Sequence, residues 1–167
     1  ASTPALRKDG HRVYVGDNDG NLIALDASGN EAWSLDIGSQ IVGSVQVSSD
    51  NRELYVTTKR DVFQVFDLGR IGKLGWTATL DAFVLPAGFK QFNLNLTGIG
   101  ANGLFVQIGM GPMQGDTFLP VMTGVGLLDR RTGKLRWFAE GLDETVAEMT
   151  TGPDGAIYVG NSPLRRI

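Results

Sequence analysis

The chain has 167 residues, of which 42% are hydrophobic and 20% charged, and its formal net charge is −3. This composition is ordinary for one globular domain, argues against wholesale disorder and offers no basic footprint for nucleic acid. Cysteine is absent, which excludes disulfides and cysteine-based zinc sites, and no run approaches the roughly 18 apolar residues that span a membrane.

Short strands separated by Gly, Asn and Asp turns open the chain, and the 23 glycines favour tight turns over long helices. Each segment is about five residues long, which is typical of an antiparallel meander. Residues 1–42 are therefore predicted to form a first repeat with strands at Thr3–Leu6, Arg12–Gly16, Leu22–Asp26 and Ala32–Asp36.

Residues 43–80 repeat this arrangement. The third segment has apolar residues on both faces, as expected for a buried inner strand. The predicted strands are Ser44–Val47, Leu54–Thr57, Val62–Asp67 and Trp76–Leu80.

A longer third repeat is predicted over residues 81–145, and a partial fourth over residues 146–167. The third contains a link, Asp81–Phe92, and an irregular stretch, Gly109–Pro120. The predicted strands are Asn93–Thr97, Leu104–Ile108, Val125–Asp129 and Leu135–Phe138, followed by Val146–Thr150 and Ala156–Gly160. The last residues, Leu164–Ile167, stand where a third strand of the fourth repeat is expected to begin.

One hairpin pattern recurs and defines the period. It is clearest in Leu127–Trp137, which reads L-L-D-R-R-T-G-K-L-R-W, and two earlier copies are Ala24–Trp33 and Val65–Trp76. Asp26 and Asp67 are 41 positions apart (67 − 26). That spacing lies in the range of about 40–45 residues expected for a four-stranded propeller blade.

These residues resemble the pyrroloquinoline-quinone-type β-propeller repeats of quinoprotein alcohol dehydrogenases and of the outer-membrane assembly lipoprotein. The docking motif of that family reads A-x-D-x-x-T-G-K-x-x-W. The resemblance implies an all-β fold, a β-propeller of four-stranded antiparallel blades, of which about three and a half are present. It also implies that Trp33, Trp76 and Trp137 are structural residues between neighbouring blades.

The functional expectation is a single, incomplete propeller segment that acts as a non-catalytic binding or scaffolding module. Further blades from a longer chain, or another protein chain, would complete it. No catalytic, cofactor or metal residue is assigned. The alternative is a fragment of a quinone-dependent dehydrogenase, which would need pyrroloquinoline quinone and calcium. The resemblance implies a periplasmic or extracellular location.

The two insertions of the third repeat carry the candidate partner-binding side chains. In a meander, both insertions are expected to project from the same end of the blade. Large apolar side chains are costly to expose, and Met and aromatic residues are favoured at interfaces. The alternative is that these loops cover the end of their own blade. The candidates are Phe83, Phe89, Phe92, Met110, Met113 and Phe118.

Two further patterns imitate ligand sites. Gly98–Gly103 fits G-x-G-x-x-G, but a strand follows it where a dinucleotide loop requires a helix, so a turn between strands is predicted. Asp17–Gly20 resembles the start of a calcium loop, but the distal bidentate carboxylate is missing, so a hairpin turn is preferred here too.

Overall fold

The computed structural model describes residues 2–85, 87–100, 103–115, 117–118, 122–143, 148–151, 157–160 and 165–166. Within these residues the chain forms sixteen β-strands in four antiparallel sheets, and one short 3-10 helix, Leu80–Ala82. In the same residues, no helix is long and apolar enough to cross a membrane. The chain divides into two compact units, Ala1–Thr79 and Leu80–Ile167.

The first unit contains two four-stranded meanders, the kind of antiparallel sheet that the predicted fold class requires. Neighbouring strands in the chain are neighbours in each sheet. The first sheet consists of β1 Ala5–Leu6, β2 Arg12–Gly16, β3 Asn21–Asp26 and β4 Glu31–Asp36. The second consists of β5 Val42–Val47, β6 Glu53–Thr57, β7 Asp61–Asp67 and β8 Gly72–Thr79.

Strand β8 starts four positions before the predicted Trp76, because the hairpin stays paired down to its turn. Asp67 pairs with Gly72, and Phe66 pairs with Lys73. A register shift between Phe63 and Val65 places one extra residue on β8. The hairpins of the first and third repeats show an equivalent shift, so this bulge is common to the three copies and leaves the ladder intact on either side.

Alternation along the strands places one apolar face of the first sheet against the second sheet. Side chains of a strand alternate between the two faces of its sheet, so every second residue faces the same neighbour. A parallel bridge between Thr3 and Ser44 also joins the two sheets near their first strands. The shared core contains Tyr14, Leu22, Ala24, Trp33, Ile41, Val45, Leu54, Val56, Phe63 and Val65.

The second unit contains one large sheet and one small sheet. Strand β10 lies between β9 and β12, and its far end also pairs with β11. The large sheet consists of β9 Phe89–Ile99, β10 Gly103–Gln114, β11 Thr117–Phe118, β12 Met122–Asp129 and β13 Leu135–Asp143. The small sheet consists of β14 Glu148–Thr151, β15 Ile157–Gly160 and β16 Arg165–Arg166.

The predicted link and irregular stretch of the third repeat were partly wrong, since both contain strand. Strand β9 begins at Phe89, and β10 continues through Gln114. Pro112 pairs with Phe89, and Met113 pairs with Phe118 across the next hairpin. Gly and Pro have low strand propensity, but cross-strand partners outweigh intrinsic preference. The last part of the predicted stretch, residues 119–120, lies outside the described residues.

Both turn interpretations are confirmed. Strands β9 and β10 flank the glycine-rich segment, and the Gly100 amide donates to the Gly103 carbonyl at 2.8 Å, while Ala101 and Asn102 lie outside the described residues. Asp17 closes the turn between β2 and β3 by accepting from the amides of Asp19 at 2.9 Å and Asn21 at 2.7 Å.

Candidate functional site

The aspartate of each hairpin motif closes its own turn. A short carboxylate that accepts a hydrogen bond from an amide two positions ahead forms an Asx-turn. The glycine that follows has positive φ in all three copies: 84° at Gly29, 91° at Gly69 and 70° at Gly133. The amides that donate are Ser28 to Asp26 at 2.8 Å, Gly69 to Asp67 at 2.8 Å and Arg131 to Asp129 at 3.0 Å.

Asp67 has a second structural role, because its side chain also forms hydrogen bonds between the two sheets of the first unit. Its side chain is only 1% exposed. Arg12 Nη1 donates to both carboxylate oxygens at 2.9 and 3.0 Å, and the Tyr14 hydroxyl donates at 2.5 Å. Trp33 Nε1 donates at 3.1 Å. All three donors belong to the first sheet, so a single buried carboxylate is a polar cross-link between sheets.

The partners of Asp67 determine which protonation state is stable. Burial by itself raises the pKa of Asp67, but the hydrogen bonds from Tyr14, the Gly69 amide and Trp33, with the positive charge of Arg12, outweigh it. The pKa of Asp67 therefore lies below its ordinary value. Burial and the neighbouring carboxylate raise the pKa of the Tyr14 hydroxyl, so this group stays a donor.

Trp33 fills the space over a glycine of the second sheet. Its ring is 5% exposed, and it lies 6.0 Å, centroid to centroid, from the ring of Tyr14. A Cβ atom built on Gly72 would lie 2.6 Å from Trp33 Cζ3, so only glycine permits this approach. The structural role expected for Trp33 between two sheets is confirmed.

A double-mutant cycle tests this contact. Gly72→Ala alone is expected to destabilise the first unit by about 1–3 kcal/mol, because the added methyl overpacks against the indole. In a Trp33→Ala background the same change should cost almost nothing, since the ring is gone. Urea unfolding of the wild type, both single variants and the double variant measures the coupling. Equal costs in the two backgrounds would contradict the contact.

Acidification tests the charge state of Asp67. Because its folded pKa is lowered, the carboxylate stabilises the fold above its unfolded pKa of about 3.9, and the stabilisation is lost as the pH falls through the folded pKa. The wild type is therefore expected to be more stable than Asp67→Asn at pH 7, and the difference should shrink below pH 4. Urea midpoints at each pH measure it. A difference that stays constant with pH would refute the charged state.

A protein-family model described as outer membrane protein assembly factor BamB matches residues 2–147. The chain belongs to this family of PQQ-type repeat proteins. The repeat hairpins and the four-stranded sheets described above are the features expected from the resemblance, and the family match confirms it. No curated protein matches the sequence of this BamB-family chain.

Solved β-propellers are similar to the BamB-family chain in fold. The β-propeller domain of Cps50 (Swd1) from Myceliophteria thermophila matches with a TM-score of 0.67 and 15% identity, over 95% of this chain and 46% of that chain. Quinohemoprotein alcohol dehydrogenase from Comamonas testosteroni matches with a TM-score of 0.61 and 15% identity, over 95% of this chain and 28% of that one. The chain thus has the propeller fold and spans less than half of either protein.

The candidate partner-binding side chains divide by burial. Phe83 is 6% exposed and packs edge-on against Phe138 at 5.6 Å, and Met110 is fully buried. These two side chains belong to the packing of the second unit. Phe89 is half-buried at the start of β9. The backbones of Phe92, Met113 and Phe118 lie in strands, but their side chains fall outside the described residues.

Sequence reasoning missed Arg12 and Tyr14 as partners of Asp67. Both lie on β2, at alternate positions, and Asp67 lies 55 and 53 residues further along the chain. A local signal existed in the repeat, because Tyr55 and Phe105 occupy the same strand in the other copies. Each of these rings also packs near the tryptophan of its own sheet, at 6.0 Å for Tyr55 and 6.4 Å for Phe105.

Proposed function

We propose that this chain is part of a non-catalytic β-propeller module that binds or scaffolds other proteins, and that further blades complete the propeller. The family match over residues 2–147 supports the proposal. So does the share of known propellers that the chain spans, 46% in one case and 28% in the other. Propellers typically use 4–8 blades, so a segment of this length needs additional blades to bury its sheet faces.

The observation that carries the proposal is that the buried Asp67 carboxylate of the first unit is fully engaged in hydrogen bonds between sheets. A buried, charged carboxylate with a perturbed pKa is an ordinary candidate for catalysis. Asp67 instead accepts from Arg12, Tyr14, Trp33 and the Gly69 amide at once. Its oxygens are engaged in holding two sheets together, which is a structural use rather than a chemical one.

The location proposed is periplasmic, on the outer-membrane side of the cell envelope. The family description, outer membrane protein assembly factor, supports this placement. Partners in that compartment would be proteins rather than nucleic acid, in keeping with the net charge of −3.

The parts of the third repeat around Phe89 in β9 and Met113 in β10 remain the proposed partner-binding region, and these two residues are its test positions. Phe89→Ser with Met113→Ser is expected to weaken retention of envelope proteins by the immobilised chain, while the melting transition stays nearly unchanged. Phe83→Ser is the contrast, since Phe83 is buried and its loss should cost about 3 kcal/mol. A large loss of stability in the Phe89/Met113 variant would show that these side chains are core.

The second candidate function is a fragment of a quinone-dependent dehydrogenase, which the fold likeness to the quinohemoprotein enzyme favours. One experiment separates the two. The chain is incubated with pyrroloquinoline quinone and calcium, passed through gel filtration and assayed for dye-linked alcohol oxidation. The binding module is expected to emerge without quinone absorbance or activity. Retention of one quinone per chain, or alcohol oxidation above the quinone blank, would overturn the non-catalytic proposal.

A further inference from the structure

The hairpin of the third repeat concentrates positive charge. We call the segment Asp129–Trp137 the third hairpin. This segment contains one acidic and four basic residues, whereas the whole chain carries a net charge of −3. The equivalent segment Asp26–Trp33 has two acids and no base, and Asp67–Trp76 has one acid and two bases. The bases of the third hairpin are Arg130, Arg131, Lys134 and Arg136.

The charge is not needed to form the turn. Asp129 organises the third hairpin by accepting from the amides of Arg131 and Thr132, both at 3.0 Å, and by pairing with Arg136. The Arg136 side chain, with the turn hydrogen bonds, lowers the pKa of Asp129 to about 2, so the carboxylate stays charged well below neutral pH. Asp26 closes the same turn in the first repeat with no base nearby in sequence.

Two cations of the third hairpin are exposed, and its tryptophan is partly exposed. Arg131 and Lys134 contribute their backbone amides to the turn, and both residues are exposed. Trp137 is 37% exposed, against 5% for its counterpart Trp33. Its ring lies 6.4 Å from that of Phe105. Four cations within nine residues give this hairpin a local positive charge.

The chemistry of this surface matches carboxylates. A guanidinium presents a planar fork of donors that fits a carboxylate, and Arg and Trp are enriched among residues that carry binding energy at protein interfaces. The turn is already ordered by Asp129, which reduces the entropy lost on binding. An extended segment could therefore place acidic side chains at Arg131 and Lys134.

We propose that the third hairpin binds an acidic, extended segment of a partner protein. This inference rests on the proposed binding function and names a second contact surface and the chemistry of its partner. Binding is electrostatic in large part, so it should weaken as salt rises.

The test uses the whole chain and a fluorescent peptide that alternates Glu with Leu and Ser. Arg131→Glu with Lys134→Glu is expected to lower the affinity about tenfold or more, and Arg131→Gln with Lys134→Gln by a smaller factor. The control, Arg70→Glu with Lys73→Glu, makes the same change of charge in the hairpin of the second repeat and should leave the affinity within about twofold. Circular dichroism establishes that each variant is folded.

Four results would overturn the inference. They are no binding of the peptide by the wild type, equal affinity for a peptide with Gln in place of Glu, an equal loss in the Arg70/Lys73 control, and preferential binding to phosphatidylcholine vesicles that contain phosphatidylserine. These four results do not depend on the outcome of the quinone test or of the Phe89/Met113 test. Failure of this inference is therefore distinguishable from failure of the proposed function.

Discussion

Replacing Asp67 with alanine is expected to destabilise the first unit by about 3–5 kcal/mol, since removing one partner of a buried ion pair leaves the other charge uncompensated. The Arg12 guanidinium, whose side chain is 15% exposed, would lose its counter-charge. The Tyr14 hydroxyl and the Trp33 indole would lose their acceptor at the same time. Urea unfolding measures the loss, and hydrogen exchange of the β2–β4 amides assigns it to the first unit.

The matched control is the equivalent aspartate of the first repeat. Asp26 closes its turn through the amides of Ser28 and Asn30, but it is half-buried and lacks the inter-sheet donors of Asp67. Asp26→Ala should therefore lose turn stability only, and much less than Asp67→Ala. Similar losses for the two variants would show that turn closure, and not the cross-link between sheets, accounts for the effect.

Trp33→Ala is expected to lower the free energy of unfolding of the first unit by about 3–5 kcal/mol, because it leaves a cavity between the two sheets. The ring is 5% exposed, packs near Tyr14 and fills the space over Gly72. No small residue can replace this volume, because the sheets are held at their separation by other core side chains. The same unfolding measurements report the loss.

Leu6→Ala is the control for simple loss of apolar area. Leu6 lies in the same unit and is 62% exposed, so its truncation should change the stability by no more than about 0.5 kcal/mol. If Trp33→Ala lowered the stability equally little, the indole would not contribute to packing between the two sheets, and its contact with Gly72 would not stabilise the fold.

Much of the fold could be predicted from local sequence, because the repeats are short strands bounded by turn residues. Strand β2 was predicted with its observed bounds, Arg12–Gly16. Prediction failed where strand pairing overrides composition. Strands β9 and β10 pair through Phe89 and Pro112, although Gly, Met and Pro around residues 109–113 contain no clear strand pattern.

The candidate sites were less predictable, because equivalent residues of the repeated motif pack against different residues in each repeat. The motif predicts equivalent aspartates and tryptophans, yet the Asp67 side chain is buried and Asp26 is only half-buried. In the same way, Trp33 is buried and Trp137 is partly exposed. Among the loop candidates, Phe83 and Met110 are packed inside the second unit. Burial of this kind results from contacts with residues distant in sequence, which a hydrophobic pattern alone does not specify.

The sequence by itself determined the repeat period, the antiparallel meander, the Asp-Gly turns and the family, because turn formation and side-chain alternation depend on neighbours within a few positions. Only the tertiary structure decided that Asp67 accepts hydrogen bonds from Arg12, Tyr14 and Trp33 of another sheet. It also decided that position 72 must be glycine, because the Trp33 indole lies directly against it. These contacts join residues 34–55 positions apart and arise only when two sheets pack.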